Sequence, residues 1–397
     1  MIAFNRRFWI AALFLIGIVI MLAAFFQNTT LVALERAEAF GFRRMLATRH
    51  GEHETFRFFY VTNRRVEQMD AAVEERFGNE RGERLAFGLF DTSIEPSLGL
   101  GLLINPSDWF QNEEIQIRDI YALERAGFIE ELRDQVQRSP NRSLLMNING
   151  FRERFPSALR KTAFVAHVLD IDAPMLVFDW PSDQGSTPRG YRRAQEIARE
   201  SGKDLAETIR LILQEIQPEH FWLLANSMGA EVVVSAFSLL YADPEFADAE
   251  IEIEDVVLTA PDVSHEKFNR QFKQEIKALT RNLTVYVSSN DRALLMSRVL
   301  NRSRRLGEST VDPGNPDQSE EAAEILEMVN PDDDLVTLVD VTPINRTRNF
   351  HNFSLETPEY FDDLFLRLTN AETPRSRRAY LVRTKDDKRY WVLTRGR

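Results

Sequence analysis

Ser227 lies in the stretch from Phe221 to Val234, where an apolar, strand-like run is followed by a serine, a glycine and a helix-compatible apolar segment. Small residues stand two before and two after it, Ala225 and Gly229. That pattern, A-N-S-M-G, suits a sharp strand-to-helix turn that exposes the hydroxyl, because the requirement at both positions is steric. A serine hydroxyl is a poor nucleophile until a base takes its proton. Histidine does this near neutral pH, and a carboxylate fixes its tautomer and stabilises the cation that forms. Alone, the pentapeptide fits equally a buried serine at a helix N-cap. The case therefore depends on which histidine and which carboxylate can reach it.

The chain has six histidines: His50, His53, His167, His220, His265 and His351. His50 and His53 precede the core strands. His167 falls within a helical pattern, and His220 starts the strand before Ser227, at the wrong end. His351 follows the last core strand, where a base belongs. His265 follows the strand ending at Asp262 and is its competitor. Among the acids, Asp291 ends the strand Leu283–Ser289 and is the expected partner. Asp262 is the alternative, and its plainer reading is a carboxylate capping the next helix. Asp179 and Asp340 also end strands and read as structural.

Acyl transfer needs donors for a tetrahedral oxyanion. The backbone N–H of Met228, next to the nucleophile, would supply one. That of Phe151, in the turn Asn149-Gly150-Phe151 after another strand, would supply the second, with Gly150 allowing close approach. Asn-Gly by itself is also an ordinary turn signal. No histidine–carboxylate cluster has metal-ligand spacing, and no glycine-rich phosphate loop follows the first strands. The expectation is no metal and no cofactor.

These residues need a frame that gathers them. Apolar strands that run into turns are expected within 143–151, 175–182, 221–226, 255–262 and 283–291, with a last strand at 335–341 and helical patterns between most of them. In one, Leu205, Ile209, Ile212 and Ile216 share a face. Alternating strands and helices imply a mainly parallel α/β sheet, with reactive groups on loops at the carboxyl ends of its strands. Phe56–Val61, Arg84–Phe90 and Glu114–Ile120 read as an earlier, antiparallel group, with a charged and partly helical stretch over 63–81. Ala122–Gln137 reads as a helix.

The segments Phe59-Tyr60-Val61-Thr62-Asn63-Arg64, Asn149-Gly150-Phe151, Phe178-Asp179-Trp180-Pro181-Ser182, Asn226-Ser227-Met228-Gly229, Ala260-Pro261-Asp262 and Tyr286 to Leu294 carry a resemblance over about residues 56–355. In order and spacing the chain resembles a bacterial α/β-hydrolase family of largely uncharacterised, esterase- or lipase-like proteins. The resemblance implies the α/β-hydrolase fold and a Ser227-Asp291-His351 triad in the chain order usual for that fold. The family usually has histidine where this chain has Asn149 and Asn226. Neither histidine is the family's catalytic base.

Composition excludes other classes. There are no cysteines, hence no disulfides and no thiolate chemistry. A net charge of -12 argues against a broad grip on nucleic acid. Phe8 to Phe26 is uncharged and apolar, just long enough to span a bilayer core. Arg6 and Arg7 precede it, which places the N-terminus in the cytoplasm and the body outside, anchored in the inner membrane. A cleaved signal peptide is the rival reading. The expected layout is a transmembrane anchor (1–30), a stalk helix (31–50), an α/β-hydrolase domain (51–373) interrupted by a long acidic loop (302–334), and a C-terminal hairpin (374–397). The loop reads as a solvated excursion or as a flap near the site. The expected activity is serine hydrolysis of carboxylic esters, lipid or acyl esters among them. A peptidase would use the same triad. From a different class comes a catalytically silent scaffold that binds a partner or ligand in the envelope.

Overall fold

The computed structural model describes residues 49–50, 55–94, 115–169, 171–247, 253–303, 305–308, 336–345, 351–369, 378–383 and 389–395. Within them a single 12-stranded sheet forms. Its strands are β1 (Arg49–His50), β2 (Thr55–Val66), β3 (Phe77–Ile94), β4 (Ile115–Leu123), β5 (Ser143–Ile148), β6 (Met175–Asp179), β7 (His220–Asn226), β8 (Ile253–Thr259), β9 (Thr280–Val287), β10 (Val336–Asp340), β11 (Ala379–Arg383) and β12 (Arg389–Leu393). The spatial order is β11-β12-β10-β9-β8-β7-β5-β6-β2-β3-β4, with β1 pairing β2. From β12 to β2 every neighbouring pair is parallel. Antiparallel hairpins close both ends.

The main helices are α1 (Arg125–Arg138), α2 (Phe155–Leu169), α3 (Pro188–Leu211), α4 (Gly229–Tyr241), α5 (Arg292–Asn301) and α6 (Pro358–Thr369). They cover both faces of the sheet, which is why β5 is buried along its whole length. Side chains alternate between the two cores. Leu144, Met146 and Ile148 pack with Phe128 of α1, Ile197 of α3 and Phe237 of α4. Leu145 packs in the opposite layer with Phe164 of α2 and Leu364 of α6. Each such side chain, taken wholly out of water, stabilises the fold by about 1.5–3 kcal/mol before entropy.

From β5 the chain steps to β6 on one side, then returns to place β7 on the other. The strand order therefore reverses between β5 and β7, and a crevice opens at their carboxyl ends. Asn149-Gly150-Phe151 follows β5, and Ser227 follows β7.

One expected element is corrected. The stretch over 63–81 holds no helix: β2 continues to Val66 and β3 begins at Phe77, with Arg64 paired to Arg81 and Val66 to Phe77 across two register shifts. In sequence the stretch reads as charged and partly helical, but Arg64 turns inward and is fully buried. The C-terminal hairpin joins the sheet, because β12 lies parallel to β10. The apolar run at 8–26, most of the expected stalk, His53 and most of the acidic loop lie outside the described residues. The last two residues of that stalk, Arg49–His50, form the short strand β1 and not helix, because they pair antiparallel with Thr55 and Phe56 of β2. Among the described residues no helix is long and apolar enough to cross a membrane.

Candidate active site

Ser227 sits at the end of β7 with a left-handed backbone, φ 53°. This conformation is strained for any residue with a Cβ. The surroundings hold it there. Its N–H donates to Thr259 O of β8 at 2.9 Å, and its carbonyl accepts from Asp262 N at 3.0 Å and from Ala230 N at 3.1 Å. Gly229 is required by contact: a Cβ there would meet the carbonyl oxygens of Ile148 and Asn149 at 2.7 Å. The small residue read from the sequence thus lets α4 start directly against the end of β5.

His351 bridges the serine and an acid. Its Nε2 lies 3.0 Å from Ser227 Oγ and its Nδ1 lies 2.7 Å from Asp291 Oδ2. The Asp291 carboxylate accepts from Nδ1–H, which leaves the Nε2 lone pair facing the serine hydroxyl. The other oxygen of Asp291 caps α5, accepting from Leu294 N at 3.0 Å. Asp291 is fully buried, and His351 is half-buried with one edge open to the crevice. Burial pulls the His351 pKa down. The charge of Asp291, its hydrogen bond and the more distant charge of Asp262 outweigh that, so the net shift is upward.

The sequence reading did not identify what holds Asp291 and the histidine loop together. Ser288 Oγ donates to Asn290 Oδ1 at 2.6 Å, Asn345 Nδ2 donates to Ser288 Oγ at 2.8 Å, and Asn290 Nδ2 donates to Asn345 O at 2.9 Å. These bonds tie the turn after β9 to the turn after β10. Ser288 and Asn290 closely precede Asp291 in sequence, which is the only signal that pointed to them.

Asp262 goes elsewhere. It is buried and accepts from Tyr191 Oη and Ser297 Oγ, and it is ion-paired with Arg305. It does not cap the next helix. Ser264 does, accepting from Lys267 N. His265 opens that short helix. His167 is half-buried on α2, where desolvation lowers its pKa to about 4. His220, at the start of β7, bonds Glu254 at 2.6 Å.

Phe151 and Met228 flank the serine from the two strands. Met228 is the N-cap of α4, where backbone N–H groups lack intrahelical acceptors. Gly150 touches the serine: a Cβ there would lie 3.0 Å from Ser227 Cβ and 3.6 Å from Oγ. The Phe151 turn is pinned by the segment after β6. Trp180 Nε1 donates to Asn149 O at 2.8 Å, Arg152 N to Ser182 O at 3.1 Å, and Glu153 N to Ser182 Oγ at 2.9 Å. This is the structural use of Trp180-Pro181-Ser182.

Asn149 and Asn226 both line a cavity of about 30 Å³ together with Glu153, Lys161 and Ser354. Ser354 Oγ approaches Asn226 Oδ1 at 3.5 Å, linking the nucleophile strand to the histidine loop. Among the described residues no cluster of His, Cys, Asp or Glu could hold a metal ion.

No curated protein matches the chain. Among matching solved structures is an esterase B from Lactobacillus rhamnosis, crystallised in a C6-C4 SN3 inhibited form. It is 11% identical, over 74% of this chain and 90% of that one, at a TM-score of 0.27, too loose a likeness to bear on substrate. The family model described as alpha/beta hydrolase of unknown function (DUF900) matches residues 124–360. That match runs from the turn before α1 into α6 and contains Ser227, Asp291 and His351, and the chain belongs to this alpha/beta-hydrolase family.

Proposed function

We propose that the protein is a serine hydrolase that cleaves carboxylic esters through an acyl-enzyme. The observation that carries this reading is the His351 bridge, with Nε2 3.0 Å from Ser227 Oγ and Nδ1 2.7 Å from Asp291 Oδ2. Ser227 Oγ attacks the ester carbonyl carbon as its proton passes to His351 Nε2. Asp291 keeps Nδ1–H in place and stabilises the imidazolium. The carbonyl oxygen gains charge and receives the N–H groups of Met228 and Phe151. Each such donor is worth roughly 100- to 1000-fold in rate. His351 then returns its proton to the leaving alkoxide oxygen, and the C–O bond breaks. Water, activated by the same nitrogen, releases the acid and restores Ser227.

A fluorophosphonate probe tests the assignment. Ser227 should be labelled in the wild type, and Ser227→Ala should take up nothing. Asn226→His should keep labelling, because an amide cannot act as base near neutral pH and Asn226 therefore does not carry the proton. A folded wild-type protein that takes up no phosphonate of any size would indicate a silent scaffold.

The substrate class proposed is a lipid or acyl ester, met at a membrane. Phe8 to Phe26 would span the inner membrane with Arg6 and Arg7 on the cytoplasmic side, leaving the hydrolase domain outside. A reporter active only in the periplasm, fused after Arg397, should be active. A C-terminus reachable solely from the cytoplasm would overturn this topology.

A further inference from the structure

Helix α5 starts at Asp291, the residue bonded to His351. Leu294 and Ser297 point inward and are buried. Outward, Leu295 is 43%, Met296 56% and Val299 72% exposed. Helical spacing puts these three and Arg292 on one face, with Arg298 at its edge. Arg302 is the left-handed C-cap beyond the last turn and lines one groove with Arg298 and Val299. Elsewhere among the described residues the exposed large apolar side chains stand singly, as Val66 and Tyr121, or in pairs, as Leu239 with Tyr241 on α4 and Tyr380 with Leu381 on β11. The first turn of α3 adjoins α5, because Tyr191 Oη lies 2.7 Å from Ser297 Oγ and accepts from Asn301 Nδ2 at 3.2 Å. That turn adds exposed Arg189, Arg192 and Arg193. Arg298 reaches Glu308 at 3.6 Å and Arg193 reaches Glu196 at 3.2 Å. The arginines nonetheless crowd one corner of a chain whose net charge is -12.

We propose that this face of α5, with the first turn of α3, is a docking surface for an anionic phospholipid bilayer. Leu295, Met296 and Val299 enter the boundary between headgroups and acyl chains, and the guanidinium groups lie among the phosphates, where their planar forks bind bidentately. Charge decides the orientation. An anionic leaflet repels this acidic protein as a whole and attracts this arginine-rich corner. Because α5 carries Asp291 at its N-terminus, docking there brings the Ser227 crevice to the lipid. The surface is independent of the chemistry assigned to Ser227.

The chain has no cysteine, so a single introduced one can be labelled alone. Full-length protein carrying Val299→Cys with an environment-sensitive dye would be reconstituted in two kinds of vesicle. One is phosphatidylcholine alone and the other contains phosphatidylglycerol as well. The dye should shift to the blue and brighten in the phosphatidylglycerol vesicles, and lose that response in high salt. Leu239→Cys, exposed on α4, should not respond. Each arginine near an anionic leaflet contributes about fivefold to partitioning. Adding Arg192→Glu and Arg302→Glu should therefore weaken the response by more than about tenfold. Equal response in both vesicles would mean no anionic recognition and would overturn the proposal, as would no response. A blue-shifted dye without lipid would also overturn it. If independent of protein concentration, it would assign the face to residues 309–335; if dependent, to a second copy.

Discussion

Arg64 and Asp179 form an ion pair at 2.6 Å with neither side chain reached by solvent. Arg64 comes from β2 and Asp179 ends β6. Both guanidinium Nε and Nη2 bind the carboxylate, and Nη2 also donates to Glu153 O and Trp180 O at 2.7 Å. Thr62 Oγ1 completes the carboxylate at 2.7 Å. One buried cation thus fixes the two segments that hold the Phe151 turn.

Removing either partner would leave a buried charge unpaired. Arg64→Ala should destabilise the fold by about 3–5 kcal/mol. Arg64→Lys keeps the charge but not the fork, and should lose stability by a smaller amount. Urea unfolding of wild type and both variants checks this. Equal stability of wild type and Arg64→Ala would contradict the pair's role.

The two glycines around the serine should behave differently. At Gly229 a Cβ meets backbone oxygens at 2.7 Å, which cannot move aside. Gly229→Ala should destabilise by about 1–3 kcal/mol. At Gly150 the nearest atom is Ser227 Cβ at 3.0 Å. Gly150→Ala should retain the fold and slow phosphonate labelling of Ser227. Labelling rates beside thermal melts separate the two effects.

His351 must be neutral to accept a proton, and its pKa stands above the ordinary 6.5 because Asp291 and Asp262 outweigh the effect of burial. Activity should therefore rise with pH through a midpoint above 6.5. Asp291→Asn removes the main source of the upward shift. The midpoint should move down while turnover falls roughly 10⁴-fold. His351→Ala should abolish turnover and His265→Ala should not. A pH–rate profile of ester hydrolysis for the four proteins tests all of this, and loss of activity in His265→Ala would reassign the base.

Asp255 on β8 gives a stability prediction away from the site. Burial first, then the neighbouring charge of Glu254, raises its pKa to about 7. The folded value exceeds the unfolded one, so the stabilising effect is complete below pH 3.8 and is lost as pH rises through about 7. Asp255→Asn, which stays neutral, should be more stable than wild type at pH 8 by up to a few kcal/mol. Near pH 4 the two should be alike. Denaturant titrations at both pH values would show the difference vanish at the lower one, and a constant difference would refute it.

Local pattern alone determined much of this protein. The apolar runs of β5, β6, β7 and β8 are legible because strands buried on both faces must be apolar throughout. The small residues around Ser227 are legible because a tight turn imposes a steric rule on its own sequence. The chain order of serine, acids and histidines followed from the strands. Other features had no local signature. The charged stretch over 63–81 reads as partly helical, because nothing nearby in sequence reveals the partner that draws Arg64 inward. Asp262 and Asp291 both end strands, and in sequence Asp291 is the expected partner of the histidine with Asp262 as the alternative. Folding gives Asp262 to Arg305 and Tyr191, and brings Asp291 against His351. Local pattern reports what one segment needs from solvent and its own backbone. Which charge meets which, across 115 residues for Arg64 and Asp179 or 60 for His351 and Asp291, is settled only when the sheet assembles.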